Sequence, residues 1–494
     1  MHLMIPQDVG AKLAEEQSHL NLVDGELRDF PASDCLDIFS PARGTRIGAI
    51  PDSSPGIVEE AAQAAARAFR PWAETPPLER SRVLLRAANQ LEERIVEIAT
   101  LIALETGRPI KTETLPETMN AVKIFRYFGG LPLESKGETF LYGPGVMALT
   151  IREPLGVIAA ITPWNVPAML FCLKVAPALA TGNTVVVKPA EQAGLSSLLV
   201  ARVVAESLPP GVLNIVNGRG EFAGQALVES SVVRKITFTG SVDVGRKIAE
   251  QAATKLIPTT LELGGKSPII VTKDVDVHEA AKQTVTGMRF SRQGQSCTST
   301  TRILVHNQIR EAFLAALGDT VKRMVVGDPL DDDTEIGTLV SREQTDRVRD
   351  YVNSAIREDI EVRELNEIAG GIAPDCFVPA TLIIDPPVSS RVVQEEIFGP
   401  VATVHSWTTI DEVVELANGT EFGLSACILT DRVADALTLA RRIEAGFVQV
   451  NSGMVIQPGL SFGGYKSSGI GREASLNSML EAFTQVKTII VDHS

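Results

Sequence analysis

Cysteine is scarce and badly placed for cross-linking. The five thiols, Cys35, Cys172, Cys297, Cys376 and Cys427, are odd in number, far apart and include no C-x-x-C pair. That excludes a disulfide framework and a zinc site, so no metal is expected and a reducing cytoplasm is the simplest home. Long apolar runs are also missing. Nowhere do about 18 apolar residues follow one another, so no membrane-spanning helix is expected. The N-terminal Met1-His2-Leu3-Met4-Ile5-Pro6 has no basic or apolar leader pattern, so no secretory signal is expected. Positive charge is outnumbered: 46 Lys and Arg face 61 Asp and Glu, a net charge of −15. An acidic surface argues against nucleic acid or an anionic membrane as the main partner, yet leaves room for one cationic pocket. The charges are scattered rather than blocked, and there is no repeat or low-complexity tract.

What is present is a chain of 494 residues, 44% hydrophobic, long enough for two or three domains. Apolar residues at three- and four-residue steps predict helices over 57–70 and 78–104, the second closed by Gly107 and Pro109. From about 153, short apolar runs alternate with helical patterns. Strands are expected at 155–161, 184–187, 213–216 and 235–238, with helices to Ala180 and over 194–207. Such strands suit a buried parallel sheet in a doubly wound α/β domain. The alternation resumes after about 265, with Val271, Leu304, Val325 and Val401 in candidate strands of a second α/β domain. The hydrophilic stretch 133–153 reads as an outlying hairpin. The run Thr488–Asp492 reads as a strand free to pair with another chain.

Two glycine turns and one cysteine carry chemistry. Strand 213–216 runs into Asn217-Gly218-Arg219-Gly220 and then Gly224. This suits a pyrophosphate at a helix N-terminus, or simply a tight turn that needs glycine. Phe238-Thr239-Gly240-Ser241 follows the next strand, where Ser241 is a phosphate ligand, a helix cap, or both. Cys297 lies in the polar turn Gln293-Gly294-Gln295-Ser296-Cys297-Thr298 and is a candidate nucleophile. Cys172 and Cys427 fit the commoner role of small buried hydrophobes, and Cys376 that of a loop thiol. A thiol nucleophile needs a base. None of the six histidines sits in a motif-like setting, so a carboxylate is the better candidate. Glu262, in Thr260-Leu261-Glu262-Leu263-Gly264-Gly265-Lys266, is flanked by leucines, and such confinement raises a carboxyl pKa. The bland alternative is an acid satisfied by backbone N–H groups.

Seven motifs in order then resemble the aldehyde dehydrogenase superfamily, in its NAD(P)-dependent, non-acylating form. They are Pro163-Trp164-Asn165, Val187-Lys188-Pro189-Ala190-Glu191, Phe238 to Ser241, Glu262 to Lys266, Gly294 to Cys297, Glu395-Glu396-Ile397-Phe398-Gly399-Pro400, and Pro458 to Tyr465. The resemblance covers about residue 30 to the end. It implies a Rossmann-like cofactor domain (1–131 and 153–264), an α/β catalytic domain (265–470), and a bridging oligomerisation sheet made by a hairpin (132–152) and a C-terminal strand (471–494). A homodimer or homotetramer is implied. By the same resemblance Cys297 attacks the aldehyde and the Asn165 amide and Cys297 N–H hold the oxyanion. Each such donor is worth on the order of 3 kcal/mol. Glu262 activates the hydrolytic water, with Lys174 and Glu473 relaying protons. Trp164, Lys188, Glu191, Gly220, Gly224, Phe238, Gly240, Ser241, Leu263, Glu396 and Phe398 would line the cofactor site. Glu191 beside the adenosine ribose favours NAD over NADP. Because Glu262 is present, hydrolysis to the free acid is expected, not transfer to CoA.

The resemblance also places Val166, Leu170, Ser291, Ser296, Thr298, Ile456 and Phe462 around the substrate. They are small or apolar, and relatives often carry aromatics at the positions of Val166 and Ser291. A bulky apolar or aromatic aldehyde is therefore expected. A carboxylated semialdehyde is the alternative, kept open by the neighbouring Arg292. Two other classes compete. A non-catalytic structural protein on this fold would not be expected to retain Cys297, Glu262, Asn165, Lys188 and Glu396 together. A cofactor-independent thiol esterase would leave Lys188, Glu396 and the glycine turns without purpose.

Overall fold

The computed structural model describes residues 7–367, 374–453 and 457–493. Strands Val157–Thr162, Thr184–Pro189, Leu213–Ile215, Val233–Thr239 and Thr259–Glu262 run parallel in the middle of an eight-stranded sheet. Leu20–Val23 and Glu26–Asp29 extend one edge antiparallel, and Gly469–Ile470 extends the other. Alternate residues of each strand feed opposite faces. Ile158 and Val187 join Leu84, Phe125, Phe171 and Leu198 from helices Pro77–Glu93, Leu115–Phe128, Pro167–Ala180 and Gly194–Ala205. Ala159, Val186 and Ile236 meet Val58 and Ile248 from helices Pro55–Ala73 and Val242–Lys255. Burial on both faces explains why these strands read as unbroken apolar runs. Each fully buried Leu, Ile or Phe stabilises the fold by roughly 1.5–3 kcal/mol.

A second, seven-stranded sheet holds Glu361–Glu364, Thr381–Ile384, Val401–Trp407, Arg302–His306, Pro268–Val271, Ser425–Leu429 and Phe447–Val450, in that spatial order. Its first pair is antiparallel and the rest are parallel. The third sheet is small: Thr139–Gly143, Val146–Pro154 and Thr484–Asp492, antiparallel throughout. Gly145, at φ +81°, turns the hairpin between its first two strands. The last strand pairs along its whole length with the hairpin, from Thr484 opposite Pro154 to Asp492 opposite Val146.

Some expectations shift. The helix read as 78–104 is two helices, Pro77–Glu93 and Ile95–Thr106, broken at Arg94 (φ −109°). The break re-aims the second helix, whose residues from Ile98 onward are all buried. Val325 lies in no strand: its neighbour Val326 makes only an isolated bridge to Ile336. The C-terminal stretch carries more than a strand. Helix Leu476–Phe483 buries Met479, Leu480 and Phe483 in the core of the first sheet. Among the described residues no helix is long and apolar enough to cross a membrane.

Candidate active site

Cys297 stands at the end of a tightly wound loop. Helix Val277–Met288 stops at Arg289, which takes a left-handed conformation (φ +59°), and Gln293 and Gly294 do the same (φ +56° and +65°). Backbone bonds from Arg292 and Gly294 to the Arg289 carbonyl fix the coil. Gly294 has no alternative: a Cβ there would sit 2.0 Å from the Gly399 carbonyl oxygen. Glu262 ends the parallel strand Thr259–Glu262. The two glycines that follow make room for other groups. A Cβ on Gly264 would strike the Glu396 carboxylate, and one on Gly265 the Cys297 carbonyl.

These elements meet around a cavity of about 630 Å³. Its walls include Cys297, Glu262, Asn165, Glu473, Thr239, Val166, Leu170, Ser296, Thr298 and Phe462. Asn165 donates from Nδ2 to the Gln295 carbonyl (3.3 Å), which holds its amide beside the cysteine loop. Glu262 is buried and neither carboxyl oxygen has a hydrogen-bond partner. Burial, then the nearby Glu473, push its pKa well above the usual carboxylate range, against Lys174 and Arg472. Lys174 bonds Glu473 (2.8 Å) and Thr237 (3.2 Å), all three buried, directly behind Glu262. The Cys297 thiol is pushed up to about 12 by burial, Glu396 and Glu262, and Arg292 and then its own backbone N–H oppose the shift. At rest the sulfur is therefore a thiol.

The glycine-turn side forms a separate cluster. Lys188 bonds Glu191 (3.0 Å), and the same Glu191 oxygen accepts from the Gly220 N–H (2.6 Å). Around Gly220 and Gly224 the space is open: an added Cβ would meet nothing nearer than 4.0 Å. The helix after this turn is short, Gln225–Glu229. Ser241 caps Val242–Lys255, its hydroxyl 3.5 Å from the Val244 N–H. The Phe238 ring lies against Gly240 and Leu263 against Gly245, filling the gaps those glycines leave. Trp164 and Phe398 pack edge to face, centroids 5.3 Å apart. Phe398 is held at φ +57° by Gln344, which donates to its carbonyl (2.9 Å). Glu396 accepts from the Gly265 N–H (2.9 Å), and burial raises it to about 7.

One expected substrate position lies elsewhere. Ser291 is not on the cavity wall, and its hydroxyl donates to the buried Glu113. Ile456 falls outside the described residues. Sequence reasoning missed Arg289, Glu113 and Glu117, which line the cavity with Arg292. Glu113 and Glu117 stand far from any motif in the chain, so only the fold brings them here.

Comparison with known proteins agrees with this geometry. The model of the aldehyde dehydrogenase family matches residues 30–489. The chain is 37% identical to a betaine aldehyde dehydrogenase of Cereibacter sphaeroides over 475 residues, covering 95% of this chain and 96% of that protein. Among solved structures, an NAD-dependent aldehyde dehydrogenase from Sinorhizobium meliloti superposes with a TM-score of 0.94 at 35% identity, covering 99% of this chain and 97% of the other. A betaine aldehyde dehydrogenase from Staphylococcus aureus, in complex with NAD+, gives 0.95 at 31%, covering 99% and 98%. From residue 30 almost to its end, the chain belongs to the aldehyde dehydrogenase family.

Proposed function

We propose that the protein oxidises an aldehyde to the carboxylic acid, with NAD+ as acceptor, through a thioester on Cys297. The observation that carries this reading is the convergence of Cys297, Asn165 and Glu262 on one cavity. Cys297 Sγ gives its proton to water and bonds to the aldehyde carbon, the carbonyl π pair moving onto oxygen. The Asn165 amide and the Cys297 N–H stabilise the resulting oxyanion, the interaction that strengthens most as charge develops. NAD+, when bound there, would supply the acceptor for the hydride that leaves the same carbon. The thioester then left on Cys297 is attacked by water, whose proton goes to Glu262. The Lys174–Glu473 pair behind Glu262 is placed to carry that proton onward.

The residues fit the dinucleotide. Open space beside Gly220 and Gly224, next to the Lys188–Glu191 pair, suits an adenosine ribose whose hydroxyls reach both side chains. The Glu191 carboxylate disfavours a 2′-phosphate, so NAD is preferred to NADP. Gly240 and Ser241 are the pyrophosphate side, with Trp164, Phe398 and Glu396 on the nicotinamide side. The three-stranded sheet is the oligomerisation element, between a cofactor-binding domain and a catalytic domain.

The test is absorbance of reduced nicotinamide with NAD+ or NADP+ and a panel of aliphatic, aromatic, cationic and carboxylated aldehydes. Turnover with NAD+ that Cys297→Ser abolishes supports the reading. Ester cleavage with no cofactor-dependent signal for any aldehyde overturns it in favour of a thiol esterase.

A further inference from the structure

The cavity wall is lined by more cations than its own anions satisfy. Glu113 pairs with Arg292 and lies 3.5 Å from Arg108. Glu117 takes the other Arg108 nitrogen at 2.5 Å and, on its second oxygen, the N–H groups of Ala168 and Met169. Glu473 is matched by Lys174. Neither Glu262 oxygen has a hydrogen-bond partner, so this acid pairs with no cation of the wall. That leaves Arg289. Among the described residues it has no ion-pair or side-chain hydrogen-bond partner, and its Nε is enclosed. It lines the cavity with Cys297 and lies close enough for the two groups to feel each other's charge.

Its backbone makes the placement more telling. Arg289 closes helix Val277–Met288 in the left-handed conformation, where glycine or asparagine is favoured. An arginine at a helix C-terminus commonly serves the last carbonyls, but no such bond is made here. Burial lowers its pKa to about 10, which leaves it fully cationic at neutral pH. A half-buried guanidinium with no hydrogen-bonded partner is costly, and a bidentate carboxylate is the group that relieves the cost most completely. The same wall carries the apolar Val166, Leu170 and Phe462, beside which a substrate body can lie.

We propose that Arg289 anchors an anionic group at the end of the substrate remote from the aldehyde, so that the preferred substrates are carboxylated aldehydes with an apolar body. The inference rests on the reading of the cavity as an aldehyde site. It corrects the emphasis on purely apolar aldehydes and disfavours a cationic one, because a quaternary ammonium group would meet an unneutralised arginine. The cation that matters is Arg289, not Arg292, whose charge is already spent on Glu113.

The experiment compares adipate semialdehyde with its methyl ester, in wild type, Arg289→Gln and Arg289→Lys, with NAD+. Wild type is expected to favour the carboxylate by at least about tenfold in kcat/KM, a loss of one charged hydrogen-bonded contact being of this size or larger. Arg289→Gln should remove that preference, mostly through KM, and leave the ester within about threefold; Arg289→Lys should restore part of it. Equal loss for both substrates in Arg289→Gln, or an ester preference in wild type, overturns the proposal. Calorimetry with adipate itself separates the two readings. Adipate binding that Arg289→Gln abolishes, with no aldehyde turned over, supports the anion site and refutes the oxidation. No adipate binding alongside turnover of neutral aldehydes refutes the anion site alone.

Discussion

At the scale of single residues, the site works by withholding charge until it is needed. Burial pushes both Cys297 and Glu262 toward their neutral forms, the thiol to about 12 and the acid well above the carboxylate range. A base must lose its proton to act, so the active fraction of Glu262 grows as pH rises through its raised pKa. Deacylation should therefore accelerate toward alkaline pH. In a kcat–pH profile, Glu262→Gln should lose that rise and show a burst of one reduced cofactor per site followed by slow turnover. On the proposed reading, Asn165 supplies one of two oxyanion donors. Asn165→Ala should lower kcat by about 10²–10³-fold, with Tm little changed. Much of this was legible in the chain: Cys297 in a glycine-bearing polar turn and Glu262 between leucines each announce their chemistry. Arg289 was not. It sits eight positions before the cysteine with no motif around it, and its lack of a partner is visible only once Glu113 and Glu117, remote in sequence, are seen to be taken by Arg108 and Arg292.

At the scale of elements, the strand ends hold the chemistry in place. Gly469 pairs beside Glu262 at φ +153°, and a Cβ there would lie 2.2 Å from the Leu261 carbonyl oxygen. Gly469→Ala should cost on the order of 1–3 kcal/mol, read as a lower Tm, and reduce kcat because Glu262 shifts with its strand. The Arg108–Glu113–Arg292 knot ties the start of helix Leu115–Phe128 to the cysteine loop. Burial alone would raise the Glu113 pKa, but Arg292 and Arg108 outweigh it and hold it at about 2, against an ordinary 4.5. A depressed carboxylate contributes stability above its unfolded pKa and loses it as pH falls toward the folded value. Wild-type Tm should therefore drop between about pH 4.5 and 2 more steeply than that of a Glu113→Gln variant, compared by calorimetry at each pH. Element type was largely readable from period and turn chemistry, since parallel strands buried on both faces leave unbroken apolar runs. Boundaries were less so. The break at Arg94 follows from how two helices pack, and the chain carries no glycine or proline there to mark it.

At the scale of the whole molecule, the small sheet leaves apolar surface that the chain itself does not cover. Leu141, Tyr142 and Ile490 are 81%, 78% and 66% exposed. Thr139–Gly143 is also an edge strand with its outer side open, a feature that single chains usually protect. If this sheet joins subunits, Leu141→Arg combined with Ile490→Arg should lower the mass measured by light scattering while leaving the far-UV circular dichroism spectrum unchanged. An unaltered mass would remove the sheet from the interface. The alternation of strands and helices announced two α/β units, and the hydrophilic hairpin with its glycines was legible as an outlier. That the hairpin and the chain's last strand share a sheet came only from the family resemblance, and their nine-position register was not legible, because more than three hundred residues separate them.

The central claim is a thioester on Cys297 whose hydrolysis depends on Glu262. Its most direct test is mass spectrometry of the Glu262→Gln enzyme quenched during turnover with NAD+ and an aldehyde. The account predicts an acyl adduct on the peptide that carries Cys297, absent without NAD+ and absent in Cys297→Ser. An adduct on another residue, or undiminished steady-state turnover with none trapped, would contradict it.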